Sequence, residues 1–256
     1  MSAVAVVPEA AAPLGEDAHE LRRLARAMAV QRWAATLAFL VPPVVLLALF
    51  GTGLMPPQPA NHSDAQIAAF YAEHTDLRIA GIVVSFLAIG LVGPLVAAIS
   101  MQMLRVEGRH PTMAFLQLVA GAVVWVMLTV PLLIMLVAAY RADRDPALTR
   151  TLHDLAWVMF LIPIAPFVVQ NVAIAVTTFS DDAAEPVFPR WVAWANLLIA
   201  ASFLPDVLLG FFHSGPFAVQ GLAAFWIPTV TYGLWLPIMA WATRRAVLQQ
   251  QRLEGV

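Results

Sequence analysis

The chain has no cysteine and no lysine. Without cysteine there are no disulfides, no thiolate nucleophile, no iron–sulfur ligation and no covalent c-type haem. Without lysine there is no amine for a retinal or pyridoxal Schiff base. All fourteen cations are arginine. Charge of either sign is scarce: 12% of residues are charged, against about 25% in a soluble domain. The net charge of −2 and the lack of a basic stretch argue against a nucleic-acid partner. Residues 1–32 lack the basic start and cleavage pattern of a signal peptide. An arginine-only, alanine-rich composition points to a high-GC bacterial genome, and so to the inner (plasma) membrane.

Long apolar runs are what the chain has instead. They cover Trp33–Leu54, Ile79–Met101, Thr112–Tyr140, Leu155–Thr178, Trp191–Phe212 and Gly221–Thr243, and none contains an arginine. Each reaches about 20 residues, enough for a helix to cross a hydrocarbon core of roughly 30 Å. Barrel strands would be about ten residues long and would alternate polar with apolar. The expected fold is therefore all-α: a polytopic bundle of six proline-kinked transmembrane helices. The expected divisions are a cytoplasmic tail with a juxtamembrane amphipathic helix (1–32), a transmembrane domain (33–243) and a second cytoplasmic tail (244–256). Leu21, Leu24 and Met28 share a face in that first helix among Arg22, Arg23, Arg26 and Arg32, as suits a helix lying on an anionic leaflet.

Arginine placement predicts orientation. With the N-terminus inside, Arg22, Arg23, Arg26, Arg32, Arg105, Arg109, Arg190, Arg244, Arg245 and Arg252 are cytoplasmic. Arg78, Arg141, Arg144 and Arg150 are outside, which favours cytoplasmic termini. In the long first outer loop Ser63 and Gln66 have capping-box spacing, and Ile67, Phe70 and Tyr71 follow at helical spacing. A short amphipathic helix is expected there. Asn61–His62–Ser63 matches a glycosylation sequon, which a bacterial origin makes irrelevant. Every span contains proline, and the Pro42–Pro43 and Pro163–Pro166 segments resemble each other enough to raise an inverted repeat of two three-helix halves.

Few residues inside the runs can carry chemistry. Asp206, after Pro205, is a carboxylate at bilayer depth, which is a functional-site hypothesis by default. Its structural alternative is a helix cap. His213, two helical turns further on, and His153–Asp154 at the start of span four add imidazole and carboxylate at the same end. Such groups suit a proton relay or a divalent metal. No metal-binding spacing accompanies them, so no metal site and no cofactor are expected. Histidine at a helix end is more often a surface residue than a ligand. Gln117, Gln170, Asn171 and Asn196 form a second polar group in the inner half. Asn171 is eighteen residues from His153, so an uninterrupted helix would place both on one face with Trp157 near the stripe. Amides in membrane helices more often join helices, at about 0.6–2 kcal/mol each, than bind ligands.

Three segments carry a resemblance: His153–Asp154–Leu155–Ala156–Trp157, Phe188–Pro189–Arg190–Trp191, and Gly215–Pro216–Phe217 with Phe225–Trp226–Ile227–Pro228. They resemble a group of uncharacterised six-helix bacterial membrane proteins, mostly actinobacterial. The resemblance implies the architecture and no activity. Three functional readings follow. The first is a carrier or binding protein for a small hydrophobic or amphipathic molecule, with the bilayer as its other partner. The second is an accessory subunit of a membrane complex. The third is a membrane-embedded enzyme or redox subunit using the outer His/Asp cluster.

Overall fold

A computed structural model describes residues 14–255 except Ala142, so the start of the expected N-terminal tail lies outside the described residues. The described chain is 78% helix without strands, and six of its helical stretches are long and apolar enough to cross a bilayer. It is a multi-pass integral membrane protein. The stretches are Ala18–Gly51, Thr75–Glu107, Thr112–Tyr140, Pro146–Phe179, Arg190–Phe211 and Leu222–Glu254, one for each apolar run.

The helix breaks within the spans lie near prolines. Span one is α1 (Leu14–Ala38) and α2 (Val41–Gly51), separated just before Pro42–Pro43. After the loop-face helix α3 (Asp64–Ala72), span two is α4 (Thr75–Ile89) and α5 (Val92–Glu107), which divide at Gly90–Leu91 ahead of Pro94. Span three is α6 (Thr112–Tyr140). Span four is α7 (Pro146–Leu161) and α8 (Ala165–Phe179), parted around Pro163. Span five is α9 (Arg190–Ser202), which tightens into a 3-10 segment, Leu204–Phe211, at Pro205. Span six opens with a π turn, Leu222–Trp226, and continues as α10 (Ile227–Glu254). A proline lacks the N–H that its preceding turn needs and disfavours the helical region for its predecessor, although Ile162 before Pro163 keeps it. Pro131 and Pro237 are exceptions, since α6 and α10 run through them unbroken.

Each span packs against its neighbours in sequence, and the first packs against the last, closing a ring. Even-numbered crossing puts both described ends on one face, called here the terminal face. The opposite, loop face carries α3. At the terminal face α1 continues past the bilayer and packs against α10 and α5. The expected juxtamembrane helix is therefore the first half of α1, continuous through residue 32. Met28 is buried at 1% exposure, so this part of the face meets protein and not lipid. A glutamine cluster ties the three helices: Gln102 Nε2 donates to Gln31 Oε1 at 2.7 Å and to Gln250 Oε1 at 3.2 Å. Arg105 Nη1 donates to Gln102 Oε1 and to the Ala246 carbonyl. Nearby, the Glu107 carboxylate accepts from the Met113 and Ala114 amides and the Thr177 hydroxyl. It caps α6 and holds α8 to it, as a carboxylate at a helix N-terminus should.

At the loop face α3 forms where the spacing expects it. Gln66 N donates to Ser63 Oγ and Ser63 N donates to Gln66 Oε1, closing the capping box. Its apolar face does not meet the bilayer surface. Ile67 and Tyr71 are buried, and the helix packs onto α7 as a cover for the bundle.

Candidate functional site

Helical regularity fails most between α9 and α10. The chain beyond the 3-10 segment turns back on itself, and Ala223 N donates to the Pro216 carbonyl at 2.8 Å. Gly221 sits directly against that carbonyl, where a Cβ would collide with Pro216 backbone. The π turn and the 3-10 segment pack on each other, and the latter also touches α7. Non-helical backbone at bilayer depth survives where protein covers it or where it lines a cavity. Here it lines a cavity of about 230 Å³ that opens at the loop face.

The floor of this cavity is apolar: Trp157 and Val158 from α7, Leu209 and Phe212 from the 3-10 region, and Val219. Its rim is polar, with Arg150, Asp154 and His213. Arg150 fixes the mouth. Its Nη1 donates to the His62 carbonyl at 2.8 Å and to Asp64 Oδ1 at 3.1 Å, and its Nη2 donates to the Ala60 carbonyl at 3.1 Å. Its Nε lies 3.5 Å from Asp154 Oδ2, one helical turn on. One guanidinium thus holds the first loop over α7.

Each expected site residue has a definite place. Asp154 is exposed at the rim and paired with Arg150. Trp157 is buried in the floor, edge-on to His153 and to Phe225. His153 is buried, and its Nδ1 lies 3.1 Å from Tyr71 Oη of α3. Burial pushes the Tyr71 phenol far above its usual range, and the Arg78 cation offsets only part of this. The phenol therefore stays protonated and shares one hydrogen bond with Nδ1. His213 reaches the cavity from the loop, exposed. The 3-10 segment ends at Phe211, so the expected two-turn register between Asp206 and His213 does not exist.

Asp206 is completely buried, and neither carboxylate oxygen has a hydrogen-bond partner. It makes no hydrogen bond or ion pair with His153 or His213, its expected partners. It does not line the cavity itself. It lies one turn before Leu209 and Gly210, which do. Its backbone N–H donates to the Phe203 carbonyl in the 3-10 turn.

The inner amides divide differently. Asn196 joins α9 to α10: its Oδ1 accepts from Trp235 Nε1 at 3.0 Å, and its Nδ2 donates to the Val192 carbonyl. Gln117 Oε1 accepts from the Ser100 hydroxyl of α5. Gln170 lies against Gly121, one turn from Gln117, so both amides fall at the α5–α6–α8 junction. Gln117 Nε2 and Gln170 Oε1, a donor and an acceptor, are both buried without partners. Asn171 donates back to the Phe167 carbonyl at 2.7 Å. The break around Pro163 puts Asn171 on α8 and His153 on α7, so no single helical face carries both. The nine candidate residues thus stand as a loop-face group and a set of buried amides, of which Asn196 and Gln117 join helices.

Tyr71, Arg78 and Arg150, expected at this end but not among the candidate site residues, are also parts of this region. The Arg78 guanidinium sits 3.9 Å from the centre of the Phe70 ring and is 6% exposed, although it was counted as a loop arginine. The four-residue spacing of Arg150 and Asp154 was a visible signal for their pairing. Among the described residues no three His, Asp or Glu side chains converge to hold a metal ion. Comparison with protein-family models, with curated proteins and with solved structures finds no match.

Proposed function

We propose that this protein binds, and carries across the membrane, a small hydrophobic or amphipathic molecule that it meets at the loop-face cavity. The observation that carries this reading is Asp206, a fully buried carboxylate without a partner, in a 3-10 segment whose next turn lines the cavity. An isolated buried carboxylate anion costs several kcal/mol. Asp206 is therefore neutral with a proton, or is neutralised when a ligand or water arrives. A ligand or water that reached it would change that state, which is what coupling requires. The apolar floor and charged rim suit an amphipathic guest. The loop face is external in this reading, with both termini cytoplasmic, as the arginine distribution favours. Helix breaks near the prolines would give the spans places to bend.

Liposomes containing the purified protein test this, using cationic, neutral and anionic amphipathic dyes with and without a proton gradient. Uptake of at least one dye is expected to depend on the gradient. Asp206→Asn should fold to normal yield and lose that dependence, because the amide keeps the shape and cannot carry the charge. Asp206→Leu should be at least as stable as the parent, because an orphan polar group is replaced by an apolar one. An Asp206→Leu protein with full coupled uptake would rule out the assignment.

A further inference from the structure

A second set of cavities lies away from the loop-face site and shares no lining residue with it. It begins at the lipid-facing surface between spans one and six. Below the Pro42–Pro43 break, α1 packs closely along α10. Above it, α2 follows α4 and scarcely touches α10. The ring is therefore loose between α2 and the first turns of α10. A crevice of about 330 Å³ occupies this gap, between Leu46 and Phe50 on one side and Trp226, Val230 and Leu234 on the other. Gly233 lies in its wall, and a Cβ built there meets nothing within 4 Å.

The crevice leads inward. A cavity of about 70 Å³ shares Leu46, Thr229 and Gly233 with it and reaches Leu128, Phe160 and Tyr232. A third, of about 60 Å³, shares those last three residues and ends at Pro163, Phe167 and Phe203. Together they run from the lipid surface to the interior beside spans three, four and five. No lining side chain is charged. The lining polar groups are the hydroxyls of Thr229 and Tyr232, and Tyr232 Oη is buried without a partner. Apolar cavities of this kind stay dry and take apolar guests. Left empty, their walls would forfeit dispersion contacts.

We propose that this passage is a binding site for a linear acyl chain, which enters sideways from the bilayer between α2 and α10. The shape favours a chain: a wide mouth in the lipid-facing surface, then a narrow apolar bore. A guest already in the bilayer loses no water on entering, so only chain order opposes binding. The head group stays at the crevice mouth, beside Trp226 and Phe50, whose rings stack at 5.9 Å. Two sources supply such a chain, a bilayer phospholipid and a free fatty acid.

Photo-crosslinking separates them. The full-length protein in nanodiscs is exposed either to a fatty acid or to a phosphatidylcholine, each with a diazirine at the chain end, and labelled peptides are mapped. Label is expected on the segments that hold the buried lining residues Val92, Leu161 and Phe167, which lipid on the outer surface does not reach. Labelling of these segments by the fatty acid alone identifies a free-chain site, and by the phospholipid a lipid site. Gly233→Phe fills open space, so it should fold normally and cut the interior labelling at least tenfold. Val230→Trp, at the mouth, is the second variant should Gly233→Phe fold poorly, with the same loss expected. Leu198→Phe, on the exposed surface of α9, should leave the labelling unchanged. Label confined to lipid-facing residues with both probes would overturn the proposal. So would interior labelling that survives both plugging variants. Dye uptake through the loop-face site is a separate readout, and its loss or retention does not bear on this result.

Discussion

Tyr71 and His153 meet across 82 positions of sequence, and that contact fixes the cover helix to the bundle. The phenol is fully buried, which pushes its ionisation well above the ordinary value. An unfolded tyrosine ionises near pH 10. The folded-state value is raised, so the stabilisation is complete below pH 10 and falls as pH climbs toward the folded value. Thermal unfolding of the parent in detergent should therefore show a loss of stability above about pH 10. In Tyr71→Phe that loss should shrink, and at neutral pH the variant should be less stable by about 1 kcal/mol, the net worth of one hydrogen bond. Equal alkaline losses in parent and variant would place the titrating group elsewhere. A second bond, half-buried, acts at a helix break. Trp125 Nε1 donates to the Ile89 carbonyl at 3.1 Å, where span two divides. Trp125→Phe keeps the ring and orphans that carbonyl, so about 1–3 kcal/mol of stability should go.

Elements show what could be read in the chain and what could not. The six runs were legible because each exceeds a bilayer's thickness, and α3 was legible because its cap and stripe are local. The breaks at Pro42 and Pro163 were legible as prolines, but what they do to register was not. A helix extrapolated from His153 to Asn171 passes through Pro163, and one from Asp206 to His213 passes out of the 3-10 segment. Periodicity holds only while the hydrogen-bond ladder holds. The ring under Arg78, the loop carbonyls on Arg150 and the amides on Glu107 were invisible as partners because only folding brings them close. Glycine is where element geometry becomes testable. Trp125 packs over Gly93, where a Cβ would stand 2.9 Å from the ring. Gly93→Leu should lower folded yield more than Leu91→Ala, since one forces the Trp125 ring off the break and the other only trims a half-buried side chain. Gly221→Ala should damage the turn beside the loop-face cavity, because the obstacle is Pro216 backbone and cannot rotate away. Its signature is weakened dye binding with the six spans still assembled, measured as ligand affinity beside detergent-monomer yield.

At the scale of the whole molecule, the ring joins two faces of different character. The loop face is covered by α3 and opens at one cavity. The terminal face is locked by helix extensions, the Gln31–Gln102–Gln250 cluster and the Glu107 cap. Arg245 and Gln249 also hold the 180–189 turn there, donating to the carbonyls of Val187 and Glu185. A carrier needs one face to open while the other stays closed, and the cavity lies on the loop face. Substrate would then be met from outside, if the arginine distribution sets the orientation. Single cysteines decide this cleanly, since the native chain has none to mask the result. Exposed sites on the loop face are Ser63, Asp145 and Ser214, and exposed sites on the terminal face are Asp182 and Leu253. In intact cells a membrane-impermeant thiol reagent should label Ser63→Cys, Asp145→Cys and Ser214→Cys. Asp182→Cys and Leu253→Cys should react only after the membrane is opened. The reverse pattern would put the cavity and its Asp206 carboxylate on the cytoplasmic side, and the protein would then take its guest from within the cell.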